Sequence, residues 1–227
     1  MSPSLAPPRS TAPIVRPADV PPPSPYAVPG HDRWHPDIPA AAEVITGGSV
    51  RMECEARAPG ADAVLCGPLV VVGAEPGDVI VVDVLAVGRA DGRPAALGHP
   101  GIIGCAPHAG SLRAVPVPGA PEARLGRAIR GNPSYRRMEA ESLSSEARGR
   151  EIGSCAIAPL TAGARILLPV NVRGAKLSVG DLHFPRRGAD DCRPAGLAGW
   201  IDLRINLTRR GVERFRVMGP LLMPRPA

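Results

Sequence analysis

The stretch GAKLSVGDLHF, residues 174–184, indicates the fold class and also contains the main candidate site. Its apolar first half runs into a Gly-Asp-Leu-His sequence, which predicts a strand that ends in a polar turn. Successive side chains of a strand point to opposite faces, so Asp181 and His183 should share one face. A carboxylate and an imidazole held together can bind a metal ion or transfer a proton. The same two residues also fit an ordinary polar turn that closes a strand.

The composition around this stretch favours strands over helices. The chain has 227 residues with 29 prolines, 26 glycines and only 3% aromatic residues, which is typical of short strands joined by tight turns. We therefore expect a β-rich α+β fold with few short helices. Prolines dominate residues 1–30, which predicts a disordered Pro-rich tail, and residues 31–227 are expected to form a single domain.

Charge, hydropathy and cysteine usage exclude several classes of protein. The formal charge is +6, but the arginines are scattered and have no interleaved aromatic residues, so we expect no nucleic acid partner. No apolar run resembles a signal peptide or reaches the length of a membrane span, which predicts no membrane partner. The five cysteines include no CxxC pair and are odd in number, which indicates a reducing, cytoplasmic setting.

Local patterns place further elements along the chain. Residues 50–56 alternate apolar and polar side chains, as do residues 201–207, and both segments predict half-buried strands. Two apolar runs flank the Glu-Pro-Gly-Asp sequence at 75–78, which predicts a β-hairpin. Glycine and proline in residues 97–112 predict a loop that carries His99, and residues 120–150 have the main helical character.

Five sequence blocks occur in order along the chain: RWHPDIP (33–39), GPLVVVGAEPGD (67–78), HPGIIGCAP (99–107), LLPVNVRGAKLSVGDLHF (167–184) and AGWIDLRINL (198–207). Together they resemble the acetamidase/formamidase family. The resemblance implies a β-sandwich or barrel-like body and hydrolysis of short linear amides with release of ammonia. It also implies a homo-oligomer and a possible divalent metal, with zinc the first expectation.

The chain departs from the family pattern at positions where the family carries polar groups. EIGSCAIAPL (151–160) stands where relatives read His-Gly-Gly-Asn-Cys-Asp-Ile-Lys-Asn-Leu, so Ala156 replaces an acid and Ala158 a lysine. Gly196 replaces a glutamate, and a second glutamate is at best replaced by Asp190 or Asp191. Amide hydrolysis needs an activated nucleophile and a proton for the leaving amine, which alanine and glycine side chains cannot supply.

Several polar residues remain as site candidates. We expect Asp181, His183 and His99 to be catalytic, and His35, Asp37, Asp181 and His183 to be metal ligands. His35 and Asp37 also fit a turn, and His99 also fits a solvated loop histidine. A Cys105–His108 nucleophile pair is a further alternative, although a free cysteine more often fills a core.

Three functions fit these residues. The first is hydrolysis of small linear amides, with water activated around Asp181 and His183. The second is a catalytically degraded homologue that acts as a binding or assembly partner, as Ala156, Ala158 and Gly196 indicate. The third is altered chemistry on an anionic substrate, which the arginine pair Arg186 and Arg187 would suit.

Overall fold

The computed structural model describes residues 29–58, 60–112, 122–147, 160–186 and 196–223. The strands in these ranges are β1 Arg33–Trp34, β2 Ala42–Val44, β3 Ser49–Cys54, β4 Leu65–Val71, β5 Val79–Arg89, β6 His99–Cys105, β7 Leu143–Ser144, β8 Arg165–Pro169, β9 Leu177–His183, β10 Gly199–Thr208 and β11 Leu221–Met223. The helices whose full bounds are described are α1 Pro133–Glu141 and α2 Gly211–Phe215, with a 3-10 turn at Ala109–Ser111. Most of the predicted tail, residues 1–28, lies outside the described residues.

Two sheets form the body of the protein. One has the strand order β11-β8-β5-β10-β3 and is antiparallel throughout. The other has the order β2-β4-β9-β6 and is antiparallel except for the β2–β4 pair. Strands β1 and β7 form a small separate pair.

The main hydrophobic core lies between the two large sheets. It combines Met52, Ile80 and Ile201 of the five-stranded sheet with Leu69 and Val179 of the four-stranded sheet. Two sheets that share one apolar layer form a β-sandwich. The prediction of a β-rich sandwich with few short helices is therefore confirmed. Within the described residues, no helix is long and apolar enough to cross a lipid bilayer.

Strands β3 and β10 confirm the alternation predicted from the sequence. Met52 lies opposite Ile201, and both side chains are fully buried. On the outer face, Arg51 donates two hydrogen bonds to Asp202 at 2.7 and 2.8 Å, so this cross-strand pair joins charges of opposite sign. Alternation thus gives each strand one face for the core and one for solvent.

The hairpin predicted around residues 75–78 is wrong. The turn exists, but β4 belongs to the four-stranded sheet and β5 to the five-stranded sheet, so the chain crosses between layers there. Asp78 organises this crossing because its carboxylate accepts hydrogen bonds from the backbone N–H groups of Glu75 and Arg210 and from Arg209. Turn residues specify a reversal of the chain and leave the partner of each strand undetermined.

Residues 97–112 are only partly a loop, which corrects the prediction for His99. Residues 99–105 form β6, an edge strand that pairs only with β9 within the described sheet. An edge strand tolerates Pro100 because one side of its backbone has no ladder partner. Gly101 is required for a different reason, since a Cβ there would lie 2.6 Å from Asp181 Oδ2.

In the described part of residues 120–150, helix α1 covers less of the chain than the composition indicates. Helix α1 begins where Asn132 accepts a hydrogen bond from the Ser134 N–H, with Pro133 at the first helical position. Its buried residues Tyr135 and Met138 pack against a small cluster with Ile38, Ala123 and Leu125. Residues 122–130 form bridges and turns instead of a helix.

We expect Gly67→Ala to lower the free energy of unfolding by about 2–4 kcal/mol. Gly67 has φ +129°, and a Cβ there would lie 2.8 Å from both Leu177 O and Ser178 Oγ. Gly47→Ala is the matched control, because Gly47 has φ +81° and no atom within 4 Å of the added Cβ. The control should cost about 1–2 kcal/mol from backbone strain alone. Equal costs in urea unfolding would contradict the steric argument.

Candidate acid–base site on strands β6 and β9

The pairing of β6 with β9 places His99 directly opposite His183. The two imidazole rings stack with centroids 5.7 Å apart and planes inclined by 13°. His183 Nε2 lies 3.0 Å from Asp181 Oδ2, and this nitrogen donates because a carboxylate only accepts. All three side chains are at most 3% exposed. The structure therefore brings together the three residues that the sequence predicts to be catalytic.

Strand β9 presents Asp181 through an irregular backbone. Asp181 has φ 54°, in the left-handed region that few residues other than glycine adopt. Val179 and Leu182 both pack into the main core although they are three residues apart. In a regular strand, residues on one face are two apart, so the conformation of Asp181 shifts the alternation by one residue. Left-handed residues of this kind cluster at functional sites.

Two glycines leave room for the Asp181 carboxylate. A Cβ on Gly101 would lie 2.6 Å from Asp181 Oδ2 and 2.7 Å from His183 Nε2. A Cβ on Gly196 would lie 2.7 Å from Asp181 Oδ1. The Gly196 N–H donates to that same oxygen at 2.9 Å. These glycines let the backbone approach the carboxylate closely and hold it in place.

Among the described residues, Arg57 and Glu146 add further charges near Asp181. Arg57 forms an ion pair with Glu146 through one terminal nitrogen, and its other terminal nitrogen lies 4.0 Å from Asp181 Oδ2. The backbone N–H of Arg57 also donates a hydrogen bond to the backbone oxygen of Gly196 at 3.1 Å. This bond ties the Arg57 segment to the glycine beside Asp181. Sequence reasoning missed both residues, because no local motif connects positions so far apart in the chain.

The surroundings favour an ionised Asp181 and a neutral His99. Burial opposes the charge of Asp181, but the hydrogen bond and charge of His183, the Gly196 N–H and Arg57 together hold its pKa below the ordinary value. Burial lowers the pKa of His99, although its hydrogen bond to Leu97 O acts in the opposite direction. His99 Nδ1 donates to that carbonyl at 3.0 Å, so the neutral ring carries its lone pair on Nε2.

Comparison with known proteins agrees with the five sequence blocks. A family model described as Acetamidase/Formamidase family matches residues 21–95 and 91–227. The chain belongs to the acetamidase/formamidase family. A formamidase from Methylophilus methylotrophus is 29% identical over 279 residues, covering 86% of this chain and 68% of the relative. An acetamidase from Mycolicibacterium smegmatis is 28% identical over 290 residues, covering 87% and 71%.

Solved structures support the same fold. A gamma lactamase from Delftia acidovorans superposes with a TM-score of 0.71 at 25% identity, covering 87% of this chain and 68% of that chain. A predicted acetamidase/formamidase from Thermoanaerobacter tengcongensis gives a TM-score of 0.57 at 17% identity, which shows the fold alone.

The alignment with the Methylophilus methylotrophus formamidase is 279 residues long and exceeds the 227 residues of this chain, so the formamidase has segments that this family member lacks.

His35 and Asp37, two of the predicted metal ligands, contact residues outside the Asp181 cluster. His35 Nε2 lies 3.3 Å from Glu141 Oε2, and His35 Nδ1 accepts the backbone N–H of Asp37. The exposed Asp37 carboxylate accepts a hydrogen bond from Arg137 at 2.6 Å. In the described part of the chain, these two predicted ligands thus bind Glu141 and Arg137 and do not join Asp181.

The fit of this family member to a metal can be tested on its donor atoms. Among residues 29–58, 60–112, 122–147, 160–186 and 196–223, no three His, Cys, Asp or Glu side chains are grouped as a metal site requires. The possible ligands Asp190 and Asp191, and the substituted positions Ala156 and Ala158, lie outside the described residues. The described donors therefore do not by themselves fit a metal.

The alternative Cys105–His108 nucleophile is not assembled. Cys105 packs in the main core, whereas His108 is exposed and accepts the Gly110 N–H as the cap of the 3-10 turn. Sequence reasoning instead missed a buried pair, His31 and Ser178. His31 Nδ1 donates to Arg33 O at 2.6 Å, and its Nε2 lies 2.8 Å from Ser178 Oγ. Ser178 belongs to the same strand as Asp181, but its partner comes from the beginning of the described chain.

Proposed function

We propose that this chain hydrolyses small linear amides to the carboxylic acid and ammonia, with Asp181, His183 and His99 as its acid–base cluster. One observation carries the assignment: in a member of the acetamidase/formamidase family, a buried carboxylate holds a histidine that stacks on a second histidine. A carboxylate that binds one imidazole nitrogen sets the tautomer of the ring and stabilises its protonated form. The burial of the cluster favours a small substrate.

The mechanism follows from the tautomer of His183. Because its Nε2–H donates to Asp181, Nδ1 is the basic nitrogen and takes a proton from a water molecule. The water oxygen bonds to the amide carbonyl carbon, which gives a tetrahedral intermediate. His183 then returns the proton to the amide nitrogen, and the carbon–nitrogen bond breaks to release ammonia.

The neutral state of His99 and the positive charge of Arg57 both support this reaction. A neutral His99 does not repel the imidazolium that forms on the stacked His183, and burial keeps its pKa low enough for neutrality near pH 7. Arg57 favours the ionised form of Asp181, which must stay charged to stabilise the imidazolium. The protonated His183 ring thus contacts the Asp181 carboxylate and stacks on the neutral His99 ring.

Ammonia release from formamide, acetamide and propionamide tests the function. We expect turnover of at least one of these amides by purified protein, with zinc and other metals quantified on the same sample. Zinc as a cofactor stays a prediction, and the steps above use only residues of this chain. Absence of ammonia from well-folded protein across the whole panel would contradict the proposed hydrolysis.

A binding or assembly role without turnover is the second candidate. It is favoured by Gly196, which occupies the position of a family glutamate while its backbone lies against Asp181. A glutamate side chain would not fit there unless the carboxylate moved, because a Cβ alone would approach Asp181 Oδ1 to 2.7 Å. Stable protein with no ammonia release on the amide panel would support this role.

We also propose a cytoplasmic homo-oligomer. The thiols of Cys54, Cys66 and Cys105 are buried in the core, which suits a reducing compartment. Large apolar side chains near the edge strand β11 are exposed, and these suit contact with a second copy: Phe215, Met218, Leu221 and Met223. Light scattering of the purified protein would show a monomer if the oligomer proposal is wrong.

A further inference from the structure

A cavity of about 360 Å³ opens beside the acid–base cluster and has no role in the steps above. It lies between the end of β5, the loop that precedes β6 and the residues that follow β9. Its wall carries three arginines, Arg89, Arg93 and Arg186, and an apolar portion that includes Leu97 and Phe184. No acidic side chain belongs to the described lining of this cavity.

Among the described residues, positive charge exceeds negative charge around this cavity. Asp91 accepts two hydrogen bonds from Arg89, and Arg93 Nε lies 3.7 Å from the same carboxylate. The exposed Arg186 has no ion-pair partner within the described ranges. Among the described residues around the cavity, Asp91 thus pairs with two of the three arginines. The Arg93 side chain is 73% exposed, so it can reach a ligand.

The apolar part of the cavity wall indicates what kind of ligand would fit beside the arginines. The Arg89 guanidinium lies 5.5 Å from the centroid of the Phe184 ring, an arrangement in which the cation faces the aromatic ring. Leu97 remains 37% exposed, although it is a large apolar residue. An inorganic ion would leave these apolar surfaces exposed to water, whereas an organic anion would cover them.

We propose that this cavity binds a small organic anion, in which a carboxylate or phosphate contacts Arg93 and Arg186 and an apolar body contacts Leu97 and Phe184. Guanidinium groups recognise such oxygens through charge-assisted, often paired hydrogen bonds. The anion can come from two sources, the charged end of an amide substrate or a separate ligand.

The position of the cavity connects it to the candidate site. Leu97 supplies the carbonyl that accepts the His99 Nδ1–H, and Phe184 directly follows His183. A ligand that moved either wall residue would therefore alter the setting of a candidate catalytic histidine. Only this connection rests on the proposed amide hydrolysis, because binding of an anion can be measured without turnover.

Calorimetry with benzoate tests the binding site directly, with the neutral isostere benzamide and inorganic phosphate as comparison ligands. We expect benzoate to bind at least about tenfold more tightly than benzamide, as the loss of charge-assisted hydrogen bonds predicts. The double variant Arg93→Gln/Arg186→Gln should weaken benzoate by at least the same factor. Arg173→Gln, an exposed arginine paired with Glu75 outside this cavity, is the matched control and should leave affinity unchanged.

Several results of these binding measurements would contradict the proposed site. Equal affinities for benzoate and benzamide, no measurable binding of benzoate, or equal affinities of the wild type and the double variant would each overturn the anion site. Tighter binding of phosphate than of benzoate would overturn the role of the apolar wall. Thermal unfolding of each variant confirms that the exposed substitutions leave the fold intact.

Kinetics distinguish the two sources of the anion. If the cavity binds the charged end of a substrate, the double variant should raise KM for the monoamide of succinate about tenfold and leave KM for the neutral butanamide unchanged. If benzoate binds but both KM values stay the same, the anion is a separate ligand. If neither amide is hydrolysed while benzoate binds, amide hydrolysis fails and the anion site stands.

Discussion

Replacement of Asp181 by Asn is expected to lower kcat/KM for a small amide by about 10²- to 10⁴-fold. Asn keeps the size of the side chain but removes the negative charge that stabilises protonated His183. Its amide group can also donate to the ring and so favour the wrong tautomer. The measurement is ammonia release at several substrate concentrations, so that kcat and KM are separated.

Asp78→Asn is the matched control for this variant. Asp78 is also a buried carboxylate, and it accepts hydrogen bonds from backbone N–H groups and from an arginine. It lies at the crossing between the two sheets, away from the candidate site. The control should lower stability and leave kcat unchanged in the folded fraction. Comparable kcat values for wild type and Asp181→Asn would remove Asp181 from the mechanism.

The stability of the protein is expected to fall by about 3 kcal/mol between pH 7.5 and pH 4 through His31 alone. Burial lowers the pKa of His31 from 6.5 to about 4, even though its hydrogen bond to the Arg33 carbonyl acts in the opposite direction. Within this interval the unfolded chain binds a proton that the folded chain rejects. The stabilisation is therefore complete above pH 6.5 and is lost progressively as the pH falls towards 4.

Urea unfolding of the wild type and His31→Gln at several pH values isolates this contribution. The variant cannot titrate at this position, so the difference in unfolding free energy between the two proteins should change by about 2–3 kcal/mol across the interval. His108→Gln, which removes an exposed histidine, should follow the wild type. A constant difference between wild type and His31→Gln would show that His31 titrates normally in the folded state.

The candidate site was partly predictable from local sequence. Asp181 and His183 are two apart near the end of a strand, and this spacing predicted a shared face. The structure places the two side chains 3.0 Å apart. The strand that carries His99 was not predictable, because Gly101 and Pro100 are usually signals for a loop. Those residues are tolerated because β6 is an edge strand and because Gly101 must make room for two buried polar side chains.

Arg57, Glu146 and His31 show the limit of sequence reasoning more strongly. Each reaches its partner from a segment that is distant in the chain, and none belongs to a motif with a recognisable spacing. The hairpin prediction failed for a related reason. Apolar runs on both sides of a turn fit two strands of one sheet as well as two strands of facing sheets.

The sequence by itself determined the family, the β-rich class and the alternating strands, because these depend on local periodicity and on ordered motif blocks. The tertiary structure alone decided which strands share a sheet, which residues neutralise Asp181 and where the arginine-lined cavity lies. These features arise from contacts between distant segments, and such contacts depend on how the two sheets pack over their common core.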